Sequence, residues 1–481
     1  MTEGSWLLAE AASRYADHPA LIDSSRTITY RQYDSIVAGV AHRLQSSGVE
    51  RERRVAILAD NSIEYGLLLM ALIRIGAVAC PISTRLPVDM VKDAIARICA
   101  KFLIVDDDET TLPDDALRIM DIGKLVDEEK SPMDVDIHLS LEQPASIILT
   151  SGTTSRPKAV LQTLGNHYYN AVGSNRNIPF NAGDRWLLSL PLYHVGGLAI
   201  LFRALTGGGA VVIADRKSDL YETTTEFGVT HLSLVPTQLR RLLDTKENLR
   251  ALSRQLKAIL IGGGTVPSKL IHRSHQIGLP VFTSYGLTEM GSQVATTRPG
   301  DPVEKLLTSG VPLEYREVKV SPDKEILVRG KVRFSGYMTD HGLDRFFDAD
   351  GWFATGDVGH FDEDGYLVVT GRLDNMFVSG GENIYPEEIE AALCELDSVI
   401  EAVVVPVDHD EYGSRPVAFV RCMSGCSPDE KGLRSALERK LARFKLPDRF
   451  FPWPEAAVSS GIKAGRRELQ QHAWRLLSRS H

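Results

Sequence analysis

Cysteine, positive net charge and long apolar runs are what this sequence has least of. Its five cysteines (Cys80, Cys99, Cys394, Cys422 and Cys426) are odd in number and scattered. Only Cys422 and Cys426 lie close together, without zinc or redox spacing, so reduced thiols are expected. A formal net charge of −9 offers no basic field to nucleic acid, so an anionic ligand must be held by local groups. The most apolar stretch, residues 65–75, is too short to span a bilayer and is closed by Arg74 and Gly76, which suits a buried helix. Residues 1–15 carry Glu3, Glu10 and Arg14 where a signal peptide needs an apolar run, so a cytoplasmic location is expected. Internal repeats and low-complexity segments are absent as well.

What is present is the composition of an ordinary globular protein, 43% hydrophobic and 24% charged over 481 residues. That length exceeds one hydrophobic core and predicts two or three domains. Helix and strand patterns alternate through the first hundred residues. Apolar residues at helical spacing run from Tyr33 to Leu44, followed by strands at 54–58, 78–82 and 102–105 and helices opening at Ser62 and Val88. The rhythm recurs with strands at 186–189, 210–213, 231–235, 258–261 and 281–282, the mark of α/β sheets with covering helices. Glycines then multiply in a β-rich segment with strands at 326–328, 336–337 and 366–369. After Gly371 the pattern becomes a compact α+β unit: a helix at 386–396, strands at 399–405 and 417–421, and a basic amphipathic helix at 432–444. The fold class read from this is a large α/β N-terminal domain, residues 1–372, with two sheet subdomains and a β-rich one. A small α+β domain, residues 373–481, follows it.

The chemistry-bearing residues come in clusters. Thr150, Ser151, Gly152, Thr153, Thr154, Ser155, Arg156, Pro157 and Lys158 follow an apolar strand and offer five hydroxyls and two cations. Hydroxyls and open backbone N–H groups donate well to phosphate oxygens, and a small-residue loop admits a polyanion. The loop lacks the Gly-Lys-Ser/Thr ending of a Walker A sequence. Taken alone, such a stretch is a flexible turn more often than a phosphate site. Gly262, Gly263 and Gly264 follow another strand, where a flat ring could lie against the backbone. Tyr285, Gly286, Thr288 and Glu289 join an aromatic face, a hydroxyl and a carboxylate, and a carboxylate beside phosphates suits Mg²⁺. Asp357 could accept from two ribose hydroxyls.

In order and spacing these segments resemble the core motifs of the adenylate-forming superfamily of acyl-CoA synthetases, peptide-synthetase adenylation domains and luciferases. The resemblance runs through nearly the whole chain. It implies that Thr150, Ser151, Gly152, Thr153, Thr154 and Lys158 surround the phosphates of ATP. It places Gly262, Gly263, Gly264, Tyr285 and Gly286 around adenine, Thr288 on the α-phosphate and Glu289 on Mg²⁺, with Asp357 and Arg372 on ribose. It also implies a hinge at Asp374 about which the small domain moves. Lys463, three residues before Arg466, matches the catalytic lysine, whose ammonium would neutralise the α-phosphate as pyrophosphate leaves. Ser155, Ala159 and Ile462 stand where glycine is frequent in that superfamily, and Val378 where lysine is.

Two further stretches, 162–174 and 191–203, resemble the 2-succinylbenzoate–CoA ligases of menaquinone biosynthesis. That likeness implies ATP, Mg²⁺ and coenzyme A as the small-molecule partners, with no nucleic acid and no membrane span. His194, Gly197 and Arg203 are the acyl-pocket candidates, with His194 also a candidate catalytic group. Gly196 and Gly197 would make room for the ring. Arg203 either supplies the counter-charge for a second carboxylate or lies on the outer face of a helix. A ligase for another aryl or fatty acid, a carrier-loading enzyme and a non-catalytic nucleotide or acyl binder stay open at this point, as does self-association.

Overall fold

A computed structural model of the chain describes residues 6–106, 117–126, 139–150, 157–215, 218–245, 247–339, 341–423, 428–454 and 466–478. It divides into two compact units. The first takes residues 1–263, 273–318 and 328–353, and the second residues 264–272, 319–327 and 354–481.

The first unit is built on two large sheets. In one, the strands Val281–Leu287, Ala258–Ile261, His231–Leu234, Arg185–Leu187, Ala210–Val212 and Pro19–Ile22 run parallel in that spatial order. Antiparallel strands close its two ends, Ser292–Thr296 and Val311–Pro312 on one side and Thr27–Thr29 on the other. The other sheet sets Pro144–Thr150, Val78–Pro81, Arg54–Leu58, Phe102–Val105 and Arg118–Asp121 side by side in parallel. Lys158–Thr163, Gly336–Thr339 and Gly342–Asp344 extend it in antiparallel fashion.

Helices pack among these strands in one shared core. The helix Ile63–Arg74 buries every residue but Glu64, which is why its sequence is apolar all round rather than striped. Ser62 caps it by accepting from the Tyr65 N–H, and Arg74 is neutralised by Asp34 at 2.8 Å. The helix Tyr30–Ser46 starts on a reciprocal cap between Thr29 and Gln32. No described helix is long and apolar enough to cross a membrane.

In the second unit the strands Val399–His409 and Gly413–Cys422 form a long antiparallel hairpin, joined in parallel by Phe450–Pro452. Strand alternation sends Ala402 and Val404 to one face, against Ile389, Leu393, Leu433 and Leu437. Val405 and Val407 go to the other, against Leu469 and Ala473 of the helix Arg466–Ser478.

Several elements differ in length from the sequence reading, two of them for causes the structure shows. The basic helix expected at 432–444 is Glu430–Glu438, followed by a 3₁₀ turn at Arg443–Lys445. Leu441, Phe444 and Leu446 must all reach the same core, and Pro447 disfavours helical backbone at Leu446. The strand expected at 281–282 continues to Leu287, because Ser284–Leu287 finds its ladder partners on Ser292–Thr296.

Candidate active site

Thr150 and Lys158 are direct partners in the antiparallel ladder between Pro144–Thr150 and Lys158–Thr163. The phosphate-loop candidates therefore lie between two adjacent, paired strands. Ser151, Gly152, Thr153 and Thr154, with Ser155, lie outside the described residues. Ala159 is a buried strand residue facing Leu149 and Met338 in register.

From Lys158 a chain of contacts leads to the Thr288–Glu289 turn. The Lys158 ammonium sits 5.0 Å from the centroid of the Tyr337 ring, a cation–π distance. The Tyr337 hydroxyl donates to Glu289 Oε1 at 2.6 Å. Gln162 Nε2 donates to the Thr288 carbonyl at 2.6 Å, and the Phe334 N–H to the Glu289 carbonyl at 2.8 Å. Two sequence-distant segments, the strand Lys158–Thr163 and residues 334–337, thus fix the 3₁₀ turn Thr288–Met290, and Lys158, Thr288 and Glu289 are brought together.

Gly262 follows the strand Ala258–Ile261, and Tyr285 lies just beyond the part of Val281–Leu287 that pairs with it in parallel, which ends where Ile261 is in register with Thr283. Ligands of α/β sheets bind at that edge. Gly263 has φ of +80°, a conformation side chains avoid. At Gly286 a Cβ would lie 2.3 Å from the Ser292 carbonyl, so only glycine permits the ladder there. Gly264 is open on all sides and belongs with the second unit.

The acyl-pocket candidates share one helix and its N-cap. His194 is the exposed N-cap of the helix Val195–Gly207, its ring edge-on to Tyr193 at 4.8 Å. Arg203 is nine residues further along, about 13 Å at the helical rise. Gly197 is buried, and a Cβ there would lie 2.3 Å from the Pro191 carbonyl. Its lack of a side chain lets the helix approach its own preceding turn, which corrects the expectation that it makes room for a ring.

Arg203 is 1% exposed, which rules out the outer face of the helix. Its guanidinium lies 4.9 Å from the Trp186 ring centroid and donates Nη2 to Gln293 Oε1 at 2.8 Å. Nε and Nη1 are buried without a protein acceptor. Burial pushes its pKa down to about 9, so it stays charged at neutral pH. A buried cation with two unmet donors is costly in a finished core, roughly 1–3 kcal/mol per group and more when charged.

In the second unit Asp357 and Arg372 face each other across a hairpin, with Nη1 on Oδ1 at 2.9 Å. The Asp357 N–H donates to Thr355 Oγ1 at 3.0 Å, and Asp374 Oδ2 is 3.7 Å from Arg372 Nη2. Arg466 anchors the last helix by pairing with Glu390 at 2.5 Å and Glu387 at 3.4 Å and donating to the Val404 carbonyl. Val378 is half exposed on the hairpin of Phe377–Ser379 and Glu382–Ile384. Lys463 and Ile462 lie outside the described residues.

Sequence reasoning missed Tyr337, Gln293 and Trp186 as site residues. Tyr337 was legible only as part of a glycine-flanked strand. Gln293 had no signal beyond standing four residues after Glu289.

Lys158 and Glu289, a cation and a carboxylate linked through Tyr337, are groups suited to phosphate and Mg²⁺, the chemistry of a nucleotide-using enzyme. The chain belongs to the AMP-binding enzyme family, whose model matches residues 8–338. The AMP-binding enzyme C-terminal domain matches residues 388–457. The chain is 33% identical to the 2-succinylbenzoate–CoA ligase of Geobacillus kaustophilus over 98% of each protein. Among solved structures it is similar to the o-succinylbenzoate CoA synthetase (MenE) of Bacillus subtilis. The complex of that enzyme with the acyl-adenylate intermediate OSB-AMP superposes with a TM-score of 0.87 at 30% identity, covering 96% of this chain and 97% of that one. Its complex with ATP and magnesium ion gives 0.87 at 31% identity, covering 96% and 98%.

Proposed function

We propose that this protein activates the succinyl carboxylate of 2-succinylbenzoate with ATP and transfers the acyl group to coenzyme A. In the first step a carboxylate oxygen attacks the α-phosphorus of ATP and the bond to pyrophosphate breaks, giving acyl-AMP. In the second the thiol sulfur of coenzyme A attacks the acyl carbon, and AMP leaves with the thioester formed. The family membership and the near full-length similarity to 2-succinylbenzoate–CoA ligases support the reaction.

The observation that carries the choice of acid is Arg203. Activating the succinyl end leaves the aromatic carboxylate charged, and a buried guanidinium with two unmet donors is the complement such a group needs. A fatty acid has nothing to offer it.

Lys158 and the hydroxyls of residues 150–154 hold the phosphates, Thr288 contacts the α-phosphate, and Tyr285 with Gly262–Gly264 frames adenine. Asp357 and Arg372 take the ribose hydroxyls. Glu289 fits Mg²⁺ by its donor chemistry, since one carboxylate plus substrate phosphates is a usual Mg²⁺ environment. Among the described residues no group of three or more His, Cys, Asp or Glu side chains assembles a metal cage. The ion would supply charge neutralisation on the phosphates. Lys463 stabilises charge developing at the α-phosphate, and the segment around Asp374 is the hinge between the two half-reactions. The reaction belongs to menaquinone biosynthesis, in the cytoplasm.

Pyrophosphate release measured over a panel of acids tests this. The expected result is release with 2-succinylbenzoate, ATP and Mg²⁺ well above that with benzoate or medium-chain fatty acids. Preference for a fatty acid would overturn the substrate, and no release with any acid would overturn the activity.

A further inference from the structure

Two arginines, Arg203 and Arg316, are buried near each other in the first unit, and burial pushes each down to about 9. Their bonding differs. Arg316 commits its guanidinium to main-chain carbonyls: Nε to Gln293 at 2.7 Å, Nη1 to Glu314 at 2.6 Å and Nη2 to Asn170 at 3.2 Å. Arg203 has one acceptor, the side-chain oxygen of the same Gln293, and keeps Nε and Nη1 unmet.

Gln293 itself is tightly fixed and 2% exposed. Its Nε2 donates to Thr296 Oγ1 at 2.7 Å, and its carbonyl receives Arg316. The amide orientation follows from its partners, because guanidinium can only donate whereas a hydroxyl can accept. The strand is bulged at this point: the register shifts between Tyr285 and Gly286, and Ser292 sits at φ of +125°.

We propose that Gln293 is a specificity-positioning residue: its neutral amide holds Arg203 by one donor and reserves the guanidinium's charge and its two other donors for an aromatic carboxylate on the acyl substrate. The inference rests on the reading of the acid given above. Glutamine suits this task because it accepts without carrying charge. A glutamate of the same shape would ionise beside the guanidinium, form an internal ion pair and cancel the charge.

The test compares 2-succinylbenzoate with 4-oxo-4-phenylbutanoate, the same acid without its ring carboxylate, in wild type, Q293E and Q293M. The readouts are the ratio of kcat/KM for the two acids, KM for ATP, and the unfolding midpoint. In Q293E the ratio should fall on the order of 10²-fold toward one, with KM for ATP nearly unchanged. Q293M, which removes the anchor but leaves the charge, should lose about tenfold. A ratio preserved in Q293E overturns the proposal, as does an equal loss for both acids accompanied by a raised KM for ATP. Should Q293E not fold, an unchanged ratio in Q293M overturns it and a fall supports it. A wild type that does not prefer 2-succinylbenzoate would instead refute the functional reading on which this inference rests.

Discussion

Lowering the pH from 7 to 5 should destabilise the first unit through His167, and the size of the effect can be worked out from its surroundings. His167 is 2% exposed on the helix Leu164–Asn177, stacked on Phe202 at 4.6 Å with its Nε2 2.8 Å from Ser146 Oγ. Burial pushes its pKa down to about 3, against about 6.5 in an unfolded chain. Because the folded state resists protonation, stability is complete above pH 6.5 and is lost as pH falls from there toward 3. The loss reaches about 2 kcal/mol at pH 5 and about 4 kcal/mol near pH 3, at ~1.4 kcal/mol per pH unit. Against a typical total of 5–15 kcal/mol that is a large fraction. His231, lowered in the same direction chiefly by burial, adds to the slope.

The assay is denaturant unfolding at pH 7.5, 6.5, 5.5 and 5.0 for wild type and His167→Gln, which can still bond Ser146 but does not titrate. Whatever the variant's absolute stability, its dependence on pH below 6 should be shallower by about one proton. Equal slopes in the two chains, or a His167 imidazole titrating near 6.5 in the folded protein, would refute the reasoning.

Other outcomes follow from the same geometry. Lys463→Ala should slow adenylation on the order of 10²–10³-fold while sparing thioester formation from supplied acyl-AMP. Equal losses in both half-reactions, read by rapid quench, would contradict the assigned role. Arg203→Leu should raise KM for 2-succinylbenzoate on the order of 10²-fold with KM for ATP unchanged in steady-state kinetics. Tyr337→Phe, which removes the hydrogen bond to Glu289, should raise the Mg²⁺ concentration needed for half-maximal rate several-fold, about the effect of losing one charged-acceptor bond. Arg466→Leu would leave the buried Glu390 carboxylate uncompensated and cost the second unit about 3–5 kcal/mol in calorimetric unfolding.

The strands at 54–58, 102–105 and 258–261 were legible to the residue, since short β-branched or apolar runs between turn residues determine them locally. The Ser62 cap and the buried helix after it were legible for the same reason. The length of the strand Val281–Leu287 was not, because its second half depends on a partner strand and a bulge. The direction of Arg203 could not be settled from the sequence, which left an outer helical face open. In retrospect the clue was an arginine alone in a helix whose residues from Gly197 to Leu205 are all buried. Its bond to Gln293 spans ninety residues, and no local pattern encodes it. Gly197 illustrates the converse: the sequence shows the glycine, but only the packing shows that the Pro191 carbonyl fills the space beside it.

The most direct measurement is a mass spectrum of quenched reactions containing the protein, 2-succinylbenzoate, ATP and Mg²⁺, with and without coenzyme A. Without coenzyme A, 2-succinylbenzoyl-AMP and pyrophosphate should appear in step. On adding coenzyme A the adenylate should give way to 2-succinylbenzoyl-CoA and AMP. Formation of ADP and phosphate in place of AMP and pyrophosphate, or thioester formation without a preceding adenylate, would contradict the account.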